Sequence, residues 1–381
     1  MKKIVIAIDS FKGSLSTFQA GNAVKEAACS VFDDVEAAVF PVADGGEGTV
    51  EAVISSLEGE YVSAFVTNPL GKKIKASYGI VPKTKTAVIE MSAAAGITLI
   101  DNTERNPMNT TTYGVGELIV DAISKGCRNF VIGIGGSATN DGGVGMLQAL
   151  GFEFLDKEGV QVPFGAKGLR DIVSINVNNK LKLLDECHFC VACDVKNVLC
   201  GKEGCSEVFG PQKGATPDMI KDMDSYLQHF AKLTKDILPS SDATAPGTGA
   251  AGGMGFALLS YLNADMESGI DLVMRQICLE DNIADADLVI TGEGRLDGQS
   301  YMGKAPVGVA RLAKKYNKPV IAFSGSLTDD AVNCNDFGID AFFSILQKPC
   351  SLEEAMDIDN AYNNLKNTAC QVFRLIRTLR G

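Results

Sequence analysis

Carboxylates, lysines and glycine-flanked polar loops hold most of the chemical potential of this sequence. Asp9, Asp44, Glu47, Asp141, Asp194, Glu293 and Asp297 each lie in a short polar segment, most beside glycine, and several directly follow an apolar run. One such acid usually forms a turn or caps a helix. Several converging in one cleft would be the set that Mg²⁺ and a general base require. Lys12 sits in one of these loops, Asp9-Ser10-Phe11-Lys12-Gly13-Ser14. Lys304 closes Gly298-Gln-Ser-Tyr-Met-Gly303-Lys304-Ala305, a P-loop with one mismatch. Ala305 stands where that motif needs Ser or Thr to hold Mg²⁺, which leaves Lys304 as either a phosphate contact or a solvent lysine. Pro306 follows, where a first helical turn tolerates proline.

Other signatures weaken on inspection. Gly133-Ile134-Gly135-Gly136-Ser137-Ala138 follows the strand-like Asn129–Ile132 and spells G-x-G-x-x-A, with Asp156 at about the spacing of a ribose-binding acid. The polar run Thr139-Asn140-Asp141-Gly142-Gly143 then prolongs the loop before any helix begins. That pattern suits backbone amides on phosphate, with Asn and Asp as metal or hydroxyl ligands, better than a dinucleotide site. Asp336-Phe337-Gly338 lacks a His-Arg-Asp companion, since the chain has only His188 and His229, and Gly338 reads as a helix C-cap. Neither histidine accompanies a G-x-S-x-G elbow, so any general base is Asp, Glu or Lys. Cys187, Cys190, Cys193, Cys200 and Cys205 with His188 form a dense sulfur cluster. His188–Val195 reads as a strand, however, where residues three apart point to opposite faces and cannot share one ion.

Composition narrows the setting. The chain has 381 residues, Lys+Arg 35 against Asp+Glu 47, a net charge of −12, and 46% hydrophobic residues. Length and composition predict two globular domains, and the acidic balance opposes a nucleic-acid partner. Eleven cysteines cannot all pair within one chain, which favours reduced thiols in the cytoplasm. Asp9 ends the first apolar run too early for a secretory leader, and no uncharged stretch is long enough to span a bilayer. A soluble, cytoplasmic protein without a membrane partner is expected, with a homodimer left open.

These residues must be held by an α/β frame. Lys2–Ile8 reads as a buried parallel strand, Ser16 or Thr17 caps a helix to about Val31, Val35–Pro41 is a second strand, and a helix follows to about Leu57. Tyr61–Asn68, Lys72–Pro82 and Thr86–Met91 read instead as antiparallel ribbon. Strands recur at Asp287–Thr291, Pro319–Ser324 and Ala341–Leu346, with helices near 304–316 and 352–379. The predicted fold is a Rossmann-like doubly wound domain built from both chain ends (1–57 and 286–381), with a large inserted α/β domain (58–285). The active site is expected in the cleft between the two.

Read together, the loops resemble the bacterial glycerate kinase family. The motifs that carry the resemblance begin with Asp9-Ser-Phe-Lys12-Gly-Ser-Leu-Ser16, Pro41-Val-Ala-Asp44-Gly-Gly-Glu47-Gly-Thr49 and Gly135-Gly-Ser-Ala-Thr-Asn140-Asp141-Gly-Gly143. They continue through Ala192-Cys-Asp194-Val-Lys196-Asn197, Phe209-Gly-Pro-Gln212-Lys213-Gly-Ala215, Pro246-Gly-Thr-Gly-Ala-Ala-Gly-Gly253, Thr291-Gly-Glu293-Gly-Arg295-Leu-Asp297-Gly-Gln299 and Gly303-Lys304-Ala-Pro306. The resemblance spans essentially the whole chain, in order. It implies ATP-dependent, Mg²⁺-assisted phosphorylation of D-glycerate, at the 2-hydroxyl in the members it most resembles. Under that reading Lys12 contacts phosphate, and Asp194, then Asp44, accepts the substrate hydroxyl proton. Asp9, Ser10, Lys196, Lys213 and Lys304 bind substrate or phosphate; Gly135, Gly136, Ser137, Asn140 and Asp141 bind nucleotide; Glu293 and Asp297 hold metal. A 3-kinase regiochemistry, a nicotinamide-dependent hydroxyacid dehydrogenase and a non-catalytic ligand-binding protein remain as alternatives.

Overall fold

The computed structural model describes residues 1–46, 48–298, 300–302 and 304–380. Glu47, Gln299 and Gly303, which belong to the motifs above, lie outside the described residues. The chain forms two compact units and is mixed α/β throughout.

The first unit comprises residues 1–44, 51–57 and 268–381. Its sheet joins strands β1 (Lys3–Ile8), β2 (Glu36–Val39), β11 (Leu288–Leu296), β12 (Val320–Leu327) and β13 (Ala341–Ser344), numbered along the chain. Every pairing is parallel, in the order β13-β12-β11-β1-β2. Both faces are apolar because successive side chains of a strand point opposite ways. Ile4, Ile6 and Ile8 pack in one core with Ala20, Val24 and Phe373, whereas Val5 and Ala7 pack in another with Ile270, Val273 and Val309. The helix Thr17–Val31 starts at a capping box: the Ser16 hydroxyl accepts the Gln19 N–H at 3.2 Å, and the Gln19 side chain accepts the Ser16 N–H at 2.9 Å. Such a cap contributes about 1 kcal/mol.

Three sequence expectations change here. Helices Gly269–Gln276 and Leu279–Ala284 belong to this unit, so its chain re-enters near 268 and not at 286. They do so because Ile270, Val273, Leu279 and Ile283 share the core of Val289 and Val309. β11 runs on to Leu296, pairing Glu293 with Ser324 and Arg295 with Ser326, so Glu293 sits inside a strand and not in a loop beyond one. The expected helix 352–379 breaks at Asp357, whose carboxylate accepts the Asn360 N–H at 3.0 Å and so starts a second helix, Ile358–Arg380.

The second unit comprises 45–50 and 58–267. Its main sheet has β3 (Glu60–Thr67), β4 (Lys73–Val81), β5 (Thr86–Glu90), β6 (Asn129–Gly133), β9 (His188–Ala192) and β10 (Asp265–Glu267), in the order β10-β9-β6-β5-β4-β3. The ribbon β3-β4-β5 is antiparallel, as the sequence pattern predicts, and β5, β6, β9 and β10 are parallel. The change of direction follows from the crossover helix Tyr113–Ser124 between β5 and β6. A separate hairpin pairs β7 (Glu153–Leu155) with β8 (Ser174–Asn176). The helix Pro217–Ile237 buries Met223, Leu227, Phe230 and Thr234, one face of a 3.6-residue period. Phe230 meets Phe256 edge-on at 5.6 Å inside the core. Among the described residues, no helix is long and apolar enough to cross a membrane.

Candidate active site

In the first unit Asp9, Lys12 and Asp44 lie beyond the carboxyl ends of parallel strands, where open α/β sheets place their ligands, and Glu293 stands within β11. β1 ends at Ile8, beside Gly292 of β11, and the Asp9 N–H donates to the Gly292 carbonyl at 2.9 Å. The chain then folds back: the Phe11 N–H bonds the Leu15 carbonyl at 2.8 Å, which holds Lys12 and Gly13 at the tip of a tight turn. Gly294 lets β11 pass that turn, because a Cβ there would lie 3.2 Å from the Phe11 Cα. Asp9 is only 3% exposed, and its Oδ1 accepts the Ser10 N–H at 2.6 Å. The Lys12 ammonium reaches Asp44 Oδ2 at 3.4 Å; the lysine side chain is 57% exposed and the aspartate 16%. Glu293, buried at 7% exposure, accepts a hydrogen bond from the Ser300 hydroxyl. Asp297 pairs with Arg295 Nε at 3.4 Å.

The electrostatics follow from burying acids together. Burial, then the charge of Asp44, pushes Asp9 up to about 7. Burial pushes Glu293 up to about 6, opposed by the Ser300 hydroxyl and by Lys304, and aided by Asp297 and Asp44. Burial alone would lower the Lys12 pKa, but Asp44, Asp9 and Glu293 outweigh it and the net shift is upward. Asp9, Lys12, Asp44 and Glu293 therefore form one interacting group, with Asp297, Ser300 and Lys304 around Glu293. Lys304 is the N-cap of the helix Ala305–Lys315, with Pro306 in the first turn.

In the second unit the loop 134–143 leaves β6 beside the loop 193–198 that leaves β9, since Gly133 and Ala192 are register partners. The helix after β6 begins only at Val144, so the dinucleotide fingerprint fails. Asp156 is a turn former whose Oδ1 accepts the N–H groups of Glu158 at 2.9 Å and Val160 at 3.0 Å. Asp141 is 1% exposed and saturated. Its Oδ2 accepts from the Thr112 N–H at 2.8 Å, the Thr112 hydroxyl at 2.9 Å and the Gly145 N–H at 3.3 Å, and its Oδ1 accepts from the Gly143 N–H at 3.1 Å. Gly145 is required for that approach, because a Cβ would lie 2.2 Å from Thr111 Oγ1. Burial raises the Asp141 pKa against the pull of these bonds.

Asn140 is wholly buried and donates to the Ser206 hydroxyl at 2.9 Å, while its Oδ1 has no partner. Lys213 is 2% exposed, and its ammonium donates to the Ser137 hydroxyl at 2.8 Å and the Thr139 carbonyl at 2.6 Å. Burial pushes it down to about 8, partly offset by Cys205 and Asp141. Gly136, at φ 72°, turns the loop so that its carbonyl accepts the Ile97 N–H at 2.9 Å. Ser137, Asn140, Asp141 and Lys213 thus form one assembly. Asp194 and Lys196 stand exposed on the neighbouring loop, past the end of β9 at Ala192.

Sequence reading did not single out Thr112, Ser206, Ser300 or Arg105. The Thr110-Thr111-Thr112 run was the one visible signal, since three hydroxyls before a helix mark unmet backbone donors. The cysteine thiols point to separate carbonyls: Cys187 to Leu183, Cys193 to Val195 and Cys205 to Leu199. Among the described residues, no group of three or more His, Cys, Asp or Glu side chains is arranged to hold a metal by itself.

The glycerate kinase family profile matches residues 4–377. The chain is 49% identical over 363 residues to the glycerate 2-kinase of Escherichia coli K12, covering 95% of each chain. It is 46% identical over 374 residues to the glycerate kinase of Haemophilus influenzae Rd, covering 98% of each. A crystal structure provisionally assigned as glycerate kinase 2, from Salmonella typhimurium LT2, superposes with a TM-score of 0.91 at 46% identity, covering 100% of this chain and 99% of that one.

Proposed function

Because the chain belongs to the glycerate kinase family, and is therefore an enzyme that phosphorylates an alcohol group, we propose that it transfers the γ-phosphoryl group of ATP to the 2-hydroxyl of D-glycerate, giving 2-phospho-D-glycerate and ADP. The observation that carries this reading is the interacting group Asp9, Lys12, Asp44 and Glu293 of the first unit. Its sheet, apolar on both faces, is read as a Rossmann-like, doubly wound arrangement. Phosphoryl transfer depends on positioning and on stabilising oxygen charge, and needs no histidine.

Asp9 is the proton acceptor favoured by this geometry, ahead of Asp44 and the exposed Asp194. A carboxylate held near 7 takes a hydroxyl proton more readily than one in water at the same pH. Lys12, largely in solvent beside Asp44, is assigned to the transferring phosphate, with Lys304 as a second cation and Ser10 as a further contact. Glu293 fits Mg²⁺: burial raises its carboxyl, Asp297 and Asp44 add to the rise, and a divalent cation would relieve it. Glu293 and Asp297 would hold it, since Mg²⁺ needs only one or two carboxylates besides water and phosphate. When bound, it neutralises charge on the phosphoryl oxygens.

Gly135, Gly136 and Ser137 are assigned to the nucleotide phosphates, with Asn140, Asp141 and Lys213 fixing the loop from beneath. The exposed Lys196 is assigned to substrate charge. The reading is tested by coupled ADP release with glycerate, lactate and tartronate: turnover with glycerate alone supports it. Nicotinamide-dependent oxidation without ATP turnover would favour the dehydrogenase alternative instead.

A further inference from the structure

Among the described residues, Arg105 has no ion-pair partner. Its Nε–H is buried with no hydrogen-bond partner, and its Nη1 makes only a long 3.4 Å bond to the Gln212 carbonyl. A buried donor left unmet is costly, and a guanidinium more so than an amide. The position is also fixed. Gly214, at φ 89°, lies so close that a Cβ there would be 2.5 Å from the Arg105 carbonyl oxygen and 3.0 Å from its Cβ. Arg105 therefore abuts the turn 210–214, and the same turn sends the buried Lys213 ammonium into the loop of Ser137 and Thr139. Lys213 likewise forms no ion pair among the described residues; its partners are a hydroxyl and a carbonyl. Two cations thus bracket one turn, hydrogen-bonded among the described residues to neutral oxygens, with Asp141 acting on Lys213 through space. A planar guanidinium fork matches the geometry of a carboxylate or phosphate.

We propose that Arg105 is a further binding residue of this enzyme, its half-buried guanidinium directed to an oxyanion group of a reactant. That group is the carboxylate of the hydroxy acid or a phosphate of the nucleotide. The proposal rests on the kinase reading above, and wild-type turnover with glycerate tests that reading separately.

The test uses the full chain with Arg105→Met, measuring KM for glycerate, the inhibition constant of neutral glyceramide, and the dissociation constant of MgADP. A carboxylate contact predicts glycerate weakened about 10- to 100-fold with glyceramide unchanged. A phosphate contact predicts the same loss for MgADP, with glycerate unchanged. Either result supports the proposal. Equal loss for glycerate and glyceramide, or all three constants within about twofold of wild type in a folded variant, would overturn it. If Arg105→Met does not fold, Arg105→Lys takes its place, because it keeps the charge but deletes the planar guanidinium fork. A loss of about fivefold or more for glycerate or MgADP is then expected, and unchanged constants for both would overturn the proposal.

Discussion

The Lys12 ammonium stands 3.4 Å from Asp44 Oδ2, with the lysine largely in solvent and the aspartate largely out of it. An exposed ion pair of this kind contributes little to folding, yet it orients a cation at the mouth of an acidic group. Lys12→Ala should therefore leave the unfolding midpoint close to wild type and lower kcat on the order of 100-fold. Steady-state kinetics beside urea unfolding check this, and turnover near wild type would remove Lys12 from the chemistry.

Asp9 gives a prediction with two linked signs. Its folded-state pKa of about 7 lies above the ordinary 3.8, so folding favours the protonated acid. That stability is fully present below the unfolded value and is lost as pH rises through about 7. Asp9→Asn, neutral throughout, should therefore be more stable than wild type at pH 8, by about 1–3 kcal/mol, and should lose that advantage near pH 4. The same change should lower kcat at least 100-fold, within the range of about 10²–10⁴ expected for a lost general base. Asp194→Asn should keep both the rate and the acidic limb of the pH profile. A rate surviving in Asp9→Asn and lost in Asp194→Asn would move the proton acceptor to Asp194.

Asp141 is predicted to hold structure and not ligand. Asp141→Ala strands the N–H groups of Thr112, Gly143 and Gly145 and the Thr112 hydroxyl. Destabilisation of about 3 kcal/mol or more is expected. Amide exchange at those three residues should accelerate ahead of exchange in the first unit. Unchanged protection there would show that the loop is held by something else.

The cysteine cluster is predicted to carry no metal. Burial pushes the thiols of Cys187, Cys193 and Cys205 each up to about 11, against the thiolate a soft metal requires. Elemental analysis of protein purified without chelator should find well under one zinc or iron per chain. Stoichiometric metal that disappears in Cys190→Ser would contradict this.

What the sequence made legible was local chemistry. The Ser16 cap follows from Ser and Gln three residues apart ahead of an apolar face. The turn before β13 follows from Gly338, found at φ 103°. The antiparallel ribbon β3-β4-β5 follows from short extended runs with tight turns. Hidden features depended on distant partners. Asp141 reads as a nucleotide ligand because its main donor, Thr112, lies 29 residues earlier. Lys213 reads as a substrate- or phosphate-binding lysine because nothing local announces the loop that buries it. The extension of β11 past Glu293 comes from pairing with β12 and not from β-propensity, since Gly292 and Gly294 flank that residue.

The central claim is the reaction itself, and product identity tests it most directly. Purified protein should be incubated with MgATP and D-glycerate and the mixture followed by phosphorus and carbon NMR, with a glycerate-free blank. The account predicts ADP and 2-phospho-D-glycerate formed in equal amounts, with the phosphorus coupled to the carbon that bears the 2-hydroxyl. Coupling to the terminal carbon instead, or ADP no faster than in the blank, would contradict it.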